Sequence, residues 1–225
     1  MKLARPDIRH PRIVLVGSEG GDDAGLIAAL RKRGLHARWL SWDDPDTLQA
    51  DLVILRSVTD YADRLDEFLA WTRRVHNLLN AAAVVSWNVG QHHLRDLRQA
   101  GVPVQSRRST VSQTALVFLG GTQSHAFAAA SPVEADFELW DLGQAALQAA
   151  ADHAGIGADE LLYARADVIG GPGHAELVEL DLVAPSLGWQ LLDDTARDDA
   201  QRQFALCVES ALDRLGLGPL SHRRP

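Results

Sequence analysis

The sequence predicts an α/β chain in two parts, a Rossmann-like domain over residues 10–104 and a truncated antiparallel α+β part over 111–217. Three observations predict it. Short apolar runs alternate with helix-spaced apolar stripes through the first hundred residues. A polar, turn-forming stretch at 105–110 then breaks that alternation. Beyond it, strands come in pairs closed by glycine turns, the pattern of antiparallel hairpins.

The elements follow in order. Ile13, Val14, Leu15 and Val16 form a continuous apolar run ended by Gly17, as in a parallel strand buried on both faces. Asp22 and Asp23 precede Leu26, Ile27 and Leu30 at helical spacing, and Gly34 stops that helix. Strands are expected at 36–40 and 52–55. Leu65, Phe68, Leu69, Val75 and Leu79 mark one face of a long helix, 83–86 reads as a fourth strand and 91–100 as a further helix stopped at 101–104. In the second part, 114–119 and 123–127 flank Gly120 and Gly121 as a first hairpin, and an alanine-rich helix runs over 142–153. Residues 161–169 and 175–183 flank a glycine-rich turn as a second hairpin. Phe204, Val208, Ala211, Leu212 and Leu215 stripe a closing helix.

Composition removes several functions. The 225 residues carry 30 acidic and 22 basic side chains, a formal charge of -8 that repels a phosphate backbone, so no nucleic-acid partner is expected. The only lysines are Lys2 and Lys32; every other side-chain cation in the basic count is arginine. A single cysteine, Cys207, excludes an internal disulfide and a multi-thiolate zinc site, and its place on an amphipathic helix points to an inert packed thiol. No apolar stretch approaches the ~20 residues of a membrane span, and neither a secretion leader nor a membrane anchor is predicted. The expected compartment is cytoplasmic.

The chemistry-bearing residues fall in three places. Gly17, Ser18, Glu19, Gly20 and Gly21 open the first helix where α/β proteins cradle phosphates. The glycine spacing matches no phosphate fingerprint, however, and Glu19, Asp22 and Asp23 would repel an anion, so a structural turn is expected. The loop Arg56, Ser57, Val58, Thr59, Asp60, Tyr61 leaves the carboxyl end of an inner strand. There Arg56 offers a carboxylate fork and Ser57, Thr59, Asp60 and Tyr61 offer polar groups for substrate; Asp60 or Asp63 capping the next helix is the competing reading. The second hairpin separates its side chains by parity. Leu162, Ala164, Ala166 and Val168 are apolar, against Tyr163, Arg165 and Asp167; on the return strand Val178, Leu180 and Leu182 oppose Glu179 and Asp181. Odd-with-odd pairing gathers three carboxylates and one arginine on one face, suited to magnesium or simply to solvent. His92 and His93, adjacent on a helix, cannot ligate one metal as an i,i+4 pair does and are read as an exposed face.

The strings Tyr163-Ala-Arg-Ala-Asp-Val-Ile169 and Leu177-Val-Glu-Leu-Asp-Leu-Val-Ala-Pro-Ser-Leu187 resemble the closing metal-site hairpin of ATP-grasp ligases. The resemblance is to the branch containing the D-cycloserine-forming ligase, near glutathione synthetase-like ligases. It extends to Leu55 through Tyr61, Leu78-Leu-Asn80, Trp87-Asn88, Gly101-Val-Pro103 and Thr114 through Phe118, with Ser124-His125-Ala126. It implies a preATP-grasp domain followed by an ATP-grasp remnant. Asp167, Glu179 and Asp181 would hold Mg2+, with Arg165 facing the phosphates of ATP or ADP as the catalytic cation. Arg56, Ser57, Thr59, Asp60 and Tyr61 would help hold a small carboxylate or amino-acid substrate. Such enzymes phosphorylate a carboxylate and let an amine attack the acyl-phosphate. In relatives a central lid of roughly seventy residues, far beyond an ordinary connection, follows the Gly-Val-Pro strand and supplies two lysines to the phosphates. Here only 105–112 intervene, and Arg107 and Arg108 are the nearby cations.

Three functions follow from these residues. The first is a degenerate ATP-grasp protein, a pseudoenzyme with the magnesium-side hairpin, weak or absent ATP binding and no complete ligation of its own. The second is a working carboxylate-amine ligase completed by another subunit. The third is a homodimeric interaction protein formed by apolar surface that the missing lid exposes.

Overall fold

The computed structural model describes residues 10–90, 92–106, 112–171 and 173–218. The parallel sheet of the first part has the order β2-β1-β3-β4, built from β1 (Ile13–Val16), β2 (Ala37–Leu40), β3 (Leu52–Leu55) and β4 (Leu78–Leu79). β1 and β3 are inner strands, and all eight of their side chains are buried, which is why they read as unbroken apolar runs. Helix α1 (Leu26–Lys32) joins β1 to β2 and ends before Gly34, whose φ of 80° suits glycine.

Two expected elements differ. The long helix after the 56–61 loop stops early, as α2 (Leu65–Thr72), because Asn77 draws the chain into the sheet. Its side chain donates to the Asp51 carbonyl at 2.9 Å and its own carbonyl accepts from Val53 N. Leu79 therefore belongs to β4, paired with Ile54. With that sheet position filled, 83–86 is helical, as α3 (Ala82–Asn88), whose Val84 and Val85 are buried. Helix α4 (His93–Gln99) follows.

The second sheet, order β7-β6-β5-β8-β9, contains β5 (Thr114–Leu119), β6 (Thr122–Ala128), β7 (Ser131–Val133), β8 (Tyr163–Ile169) and β9 (Glu176–Asp181). β7 is an edge strand beyond the two expected hairpins, short and exposed, with Pro132 in it. Helix α5 (Phe137–Ala154) is longer than 142–153 because Asp136 caps it, accepting from Glu138 N. Gly143 lets α5 lie close on β5: a Cβ there would sit 2.9 Å from the Phe118 ring. Helix α6 (Asp194–Arg214) closes the chain. The greater part of the 105–110 linker, including Arg107 and Arg108, lies outside the described residues, as do Lys2 and Gln91.

The two sheets share one core. Ile13, Leu15 and Ile54 of the first cluster with Val117, Tyr163, Trp189, Phe204 and Val208 of the second part. Tyr163 and Trp189 are wholly buried there, and each large aromatic contributes roughly 2–3 kcal/mol of apolar burial. Polar groups fix the seam. Asn80, 0% exposed, donates to the carbonyls of Tyr163 (3.0 Å) and Leu182 (2.7 Å) and accepts from Leu162 N (2.8 Å). The Tyr163 hydroxyl lies 2.6 Å from the Leu55 carbonyl oxygen. No described helix is long and apolar enough to cross a membrane.

Candidate functional site

The second hairpin pairs odd residues with odd: Arg165 opposes Asp181 and Asp167 opposes Glu179, which brings the four charged side chains to one face. A bulge then shifts the register, so that Val168 opposes Leu177. The inward residues of β9 and its extension are therefore Leu177, Leu180 and Leu182, and Val178, expected on the apolar side, is only half-buried. Tyr163 shares the parity of Arg165 and Asp167 but is buried in the seam between the sheets.

Each charged side chain has its own partner. Arg165 donates from Nε and Nη2 to the two Asp167 oxygens at 2.8 and 3.1 Å and lies 5.2 Å from the Phe127 ring centroid. Glu179 meets His93 Nε2 at 2.5 Å. Asp181 accepts from Val183 N at 2.9 Å; burial raises its pKa most, Glu179 adds to the rise, and backbone hydrogen bonds and Arg165 oppose it. Among the described residues no three His, Cys, Asp or Glu side chains converge as they stand on a single metal position.

His93 corrects the sequence reading. It is buried, not on an exposed face, with Nδ1 2.8 Å from the Gly90 carbonyl and Nε2 on Glu179. Burial opposes the imidazolium, but the Glu179 bond, the Gly90 carbonyl and the Asp181 charge outweigh it and raise the His93 pKa. The available signal was Leu97, four residues on, which is buried on the same side of α4.

The 56–61 loop divides in two. Arg56 is 1% exposed, and its guanidinium is bonded to buried Asp23 at 2.8 and 2.9 Å and lies near the rings of Tyr163 and Trp189, so the fork meant for a ligand carboxylate holds an internal one. Ser57 Oγ accepts from Ser18 N and donates to Ser18 O, closing the Gly17 turn. A Cβ at Gly17 would sit 2.4 Å from Ser57 Oγ, so the glycine serves close approach. Asp60 accepts from Trp42 Nε1 at 2.9 Å, and Thr59 is exposed. Tyr61 leans on Phe68, and its hydroxyl pKa is raised by burial and by the charges of Asp181 and Glu179. The end of the loop therefore lies within electrostatic reach of the acidic face.

Asp22 has a role no local pattern announced. Its carboxylate accepts from Leu187 N, Gly188 N and Ser186 Oγ through one oxygen and from Gln190 N through the other. It thus ties the first loop of the parallel sheet to the turn that follows β9. Cys207 is half-buried, and burial pushes its thiol pKa up, as an inert packed thiol requires.

With this geometry, the chain overlays on the crystal structure of the D-cycloserine synthetase DcsG with a TM-score of 0.74, at 21% identity, over 91% of this chain and 99% of that one. The D-alanine–D-alanine ligase of Bacillus anthracis complexed with ATP gives 0.62 at 12% identity, over 91% and 98%. The chain has the ATP-grasp fold. The ATP-grasp ligase PsnB, complexed with precursor peptide PsnA2 and AMPPNP, overlays at 0.57 and 12% identity, over 89% of this chain and 99% of that one. Residues 10–80 match the family model described as the D-cycloserine synthetase DcsG N-terminal domain. A cycloserine biosynthesis protein DcsG of Streptomyces lavendulae is 34% identical over 84 residues, which is 35% of this chain and 28% of the relative's length.

Proposed function

We propose that this chain is a degenerate ATP-grasp protein that keeps the magnesium-side hairpin, lacks the lysine-bearing lid and does not complete a ligation by itself. The observation that carries this reading is the supply of cations. Lys32, the one described lysine, sits on α1 and pairs with Asp198 of α6. Arg56 is buried on Asp23, and Arg165 is engaged by Asp167. Between Val104 and β5 only 105–113 intervene. A transferring phosphate needs a compact, mobile charge, and arginines locked in pairs do not supply one.

Magnesium fits the donor chemistry. Asp167, Glu179 and Asp181 offer carboxylate oxygens on one face, and Asp167 and Glu179 would have to turn from Arg165 and His93 to hold the ion. When bound, such an ion neutralises charge on phosphate oxygens. A triphosphate does not fit these cations, since Arg165 is held by Asp167, Arg56 by Asp23 and Lys32 by Asp198. Around the acidic face Arg165 orients Asp167, His93 holds Glu179, and Tyr61 closes one side near a substrate carboxylate or amine.

The ligase reading draws on the overlay that spans 99% of the DcsG chain. Thermal melts separate the two. A ligand at one hundred times its Kd adds about 2.7 kcal/mol of stability. Mn2+ or Mg2+ alone should raise Tm, the Asp167→Asn/Glu179→Gln variant should lose that rise, and millimolar ATP should add nothing. ADP release with an amino-acid panel would overturn the degenerate reading.

A further inference from the structure

The acidic face is set from outside its own sheet. β9 is the edge strand of the second sheet, and an edge strand presents unpaired backbone amides and carbonyls along one side. Here the first part of the chain takes up that side. Leu177 N donates to the Pro103 carbonyl at 2.7 Å, and Gln105 N donates to the Leu177 carbonyl at 2.8 Å, with Val104 bridging Leu177 in parallel. Farther along, the side chain of Asn88, the last residue of α3, replaces a strand. Its Nδ2 donates to the Leu180 carbonyl at 2.7 Å and its Oδ1 accepts from Leu182 N at 2.7 Å.

A carboxamide carries the same donor and acceptor as a peptide unit, so one side chain satisfies both groups. Asn88 is 7% exposed, which leaves little room for water to replace it. The two atoms it holds flank Asp181. Five residues on, across the turn that leads into α4, His93 holds the Glu179 carboxylate. The α3–α4 corner thus grips the β9 backbone on both sides of Asp181 and the side chain of Glu179.

We propose that Asn88 is a positioning residue for the acidic face: by gripping Leu180 and Leu182 it fixes how far Asp181 stands from Glu179 and Asp167, and so fixes the affinity of that face for a divalent cation. Its consequence for metal rests on the magnesium reading above. Groups that orient ligating carboxylates typically govern metal affinity by about 10- to 100-fold. Asn80 holds the seam at Leu162, Tyr163 and Leu182, whereas Asn88 is bonded on both sides of Asp181.

The test compares the full-length wild type, Asn88→Ala, Asn88→Asp and Val208→Ala, the last a core truncation in α6 that destabilises without touching β9. Mn2+ affinity is read by electron paramagnetic resonance, and amide exchange at Leu182 by NMR. Asn88→Ala should bind Mn2+ about tenfold more weakly than Val208→Ala, and its Leu182 amide should exchange about tenfold faster, as loss of a hydrogen bond of that strength allows. Asn88→Asp keeps the acceptor for Leu182 but loses the donor to Leu180; it should fall between wild type and Asn88→Ala in affinity, and it carries the test if Asn88→Ala does not fold. Affinity in the Asn88 variants equal to that of Val208→Ala would overturn the proposal. If the wild type binds no Mn2+, the magnesium reading fails instead, and the clamp is judged by the amide alone: protection lost only at 180–182 upholds it, and unchanged protection sinks it.

Discussion

Asparagine at position 23 would leave the Arg56 guanidinium buried without its counter-ion. The pair is almost fully enclosed, with side chains 1% and 3% exposed, and Arg56 Nη1 already has no hydrogen-bond partner. Removing one member of a buried pair costs about 3–5 kcal/mol, because the remaining charge is uncompensated. The two members are not equivalent. Arginine cannot shed its proton, so Asp23→Asn should incur that whole cost. Arg56→Met leaves a carboxyl that can neutralise itself. Burial raises the Asp23 pKa even in the wild type, the Asp22 charge adds to it, and Arg56 is the main group holding it down. An acid with a raised folded pKa favours folding most fully below its unfolded value and loses that contribution as pH rises through the folded one. Without Arg56 this window moves upward, so the Arg56→Met penalty should shrink as pH falls. At pH 7 Asp23→Asn should lower Tm by about 6–20 °C, from 2–4 °C per kcal/mol for a chain of this size, with Arg56→Met losing less. Calorimetric melts across pH check both. Equal losses in the two variants, or a pH-independent Arg56→Met penalty, would refute the reasoning.

Two further outcomes follow from side chains that bridge the halves. Asp22→Ala frees Leu187 N, Gly188 N, Gln190 N and Ser186 Oγ at once; urea unfolding should show a loss of about 3 kcal/mol, and a loss below about 1 kcal/mol would mean that apolar packing alone holds the turn. His93 has a raised pKa through Glu179 despite its burial. The stability advantage of wild type over His93→Gln should therefore be complete below the ordinary histidine value of 6.5 and disappear as pH climbs through the raised one. A difference that stays flat between pH 5 and 9 in denaturant titrations would count against the His93–Glu179 ion pair.

The hairpin parity was legible because side-chain alternation is local. Arg165, Asp167, Glu179 and Asp181 share a face as their spacing requires, up to the bulge that half-exposes Val178. The early end of α2 was not legible. Leu79 continues a helical stripe in sequence, and only pairing with Ile54 claims it for the sheet. The same competition turned 83–86 into helix. Arg56 shows the limit for site residues. An arginine after an inner strand reads as a ligand for substrate, and nothing near it in sequence says that Asp23, thirty-three positions away, is its partner.

From its residues alone, then, the chain declares alternating apolar strands and helices, a charged hairpin face and a scarcity of lysine, since these depend on composition and on periods of a few residues. Folding in three dimensions decides which charges are spent internally. Asp22 reaches the 186–190 turn, Asn88 reaches Leu180 and Leu182, and His93 reaches Glu179, each across more than eighty positions of sequence. Hydrogen bonds and ion pairs form over a few ångströms, and the contacts that separate the chain's structural groups from those left to meet a ligand are made only when the two sheets close on a common core.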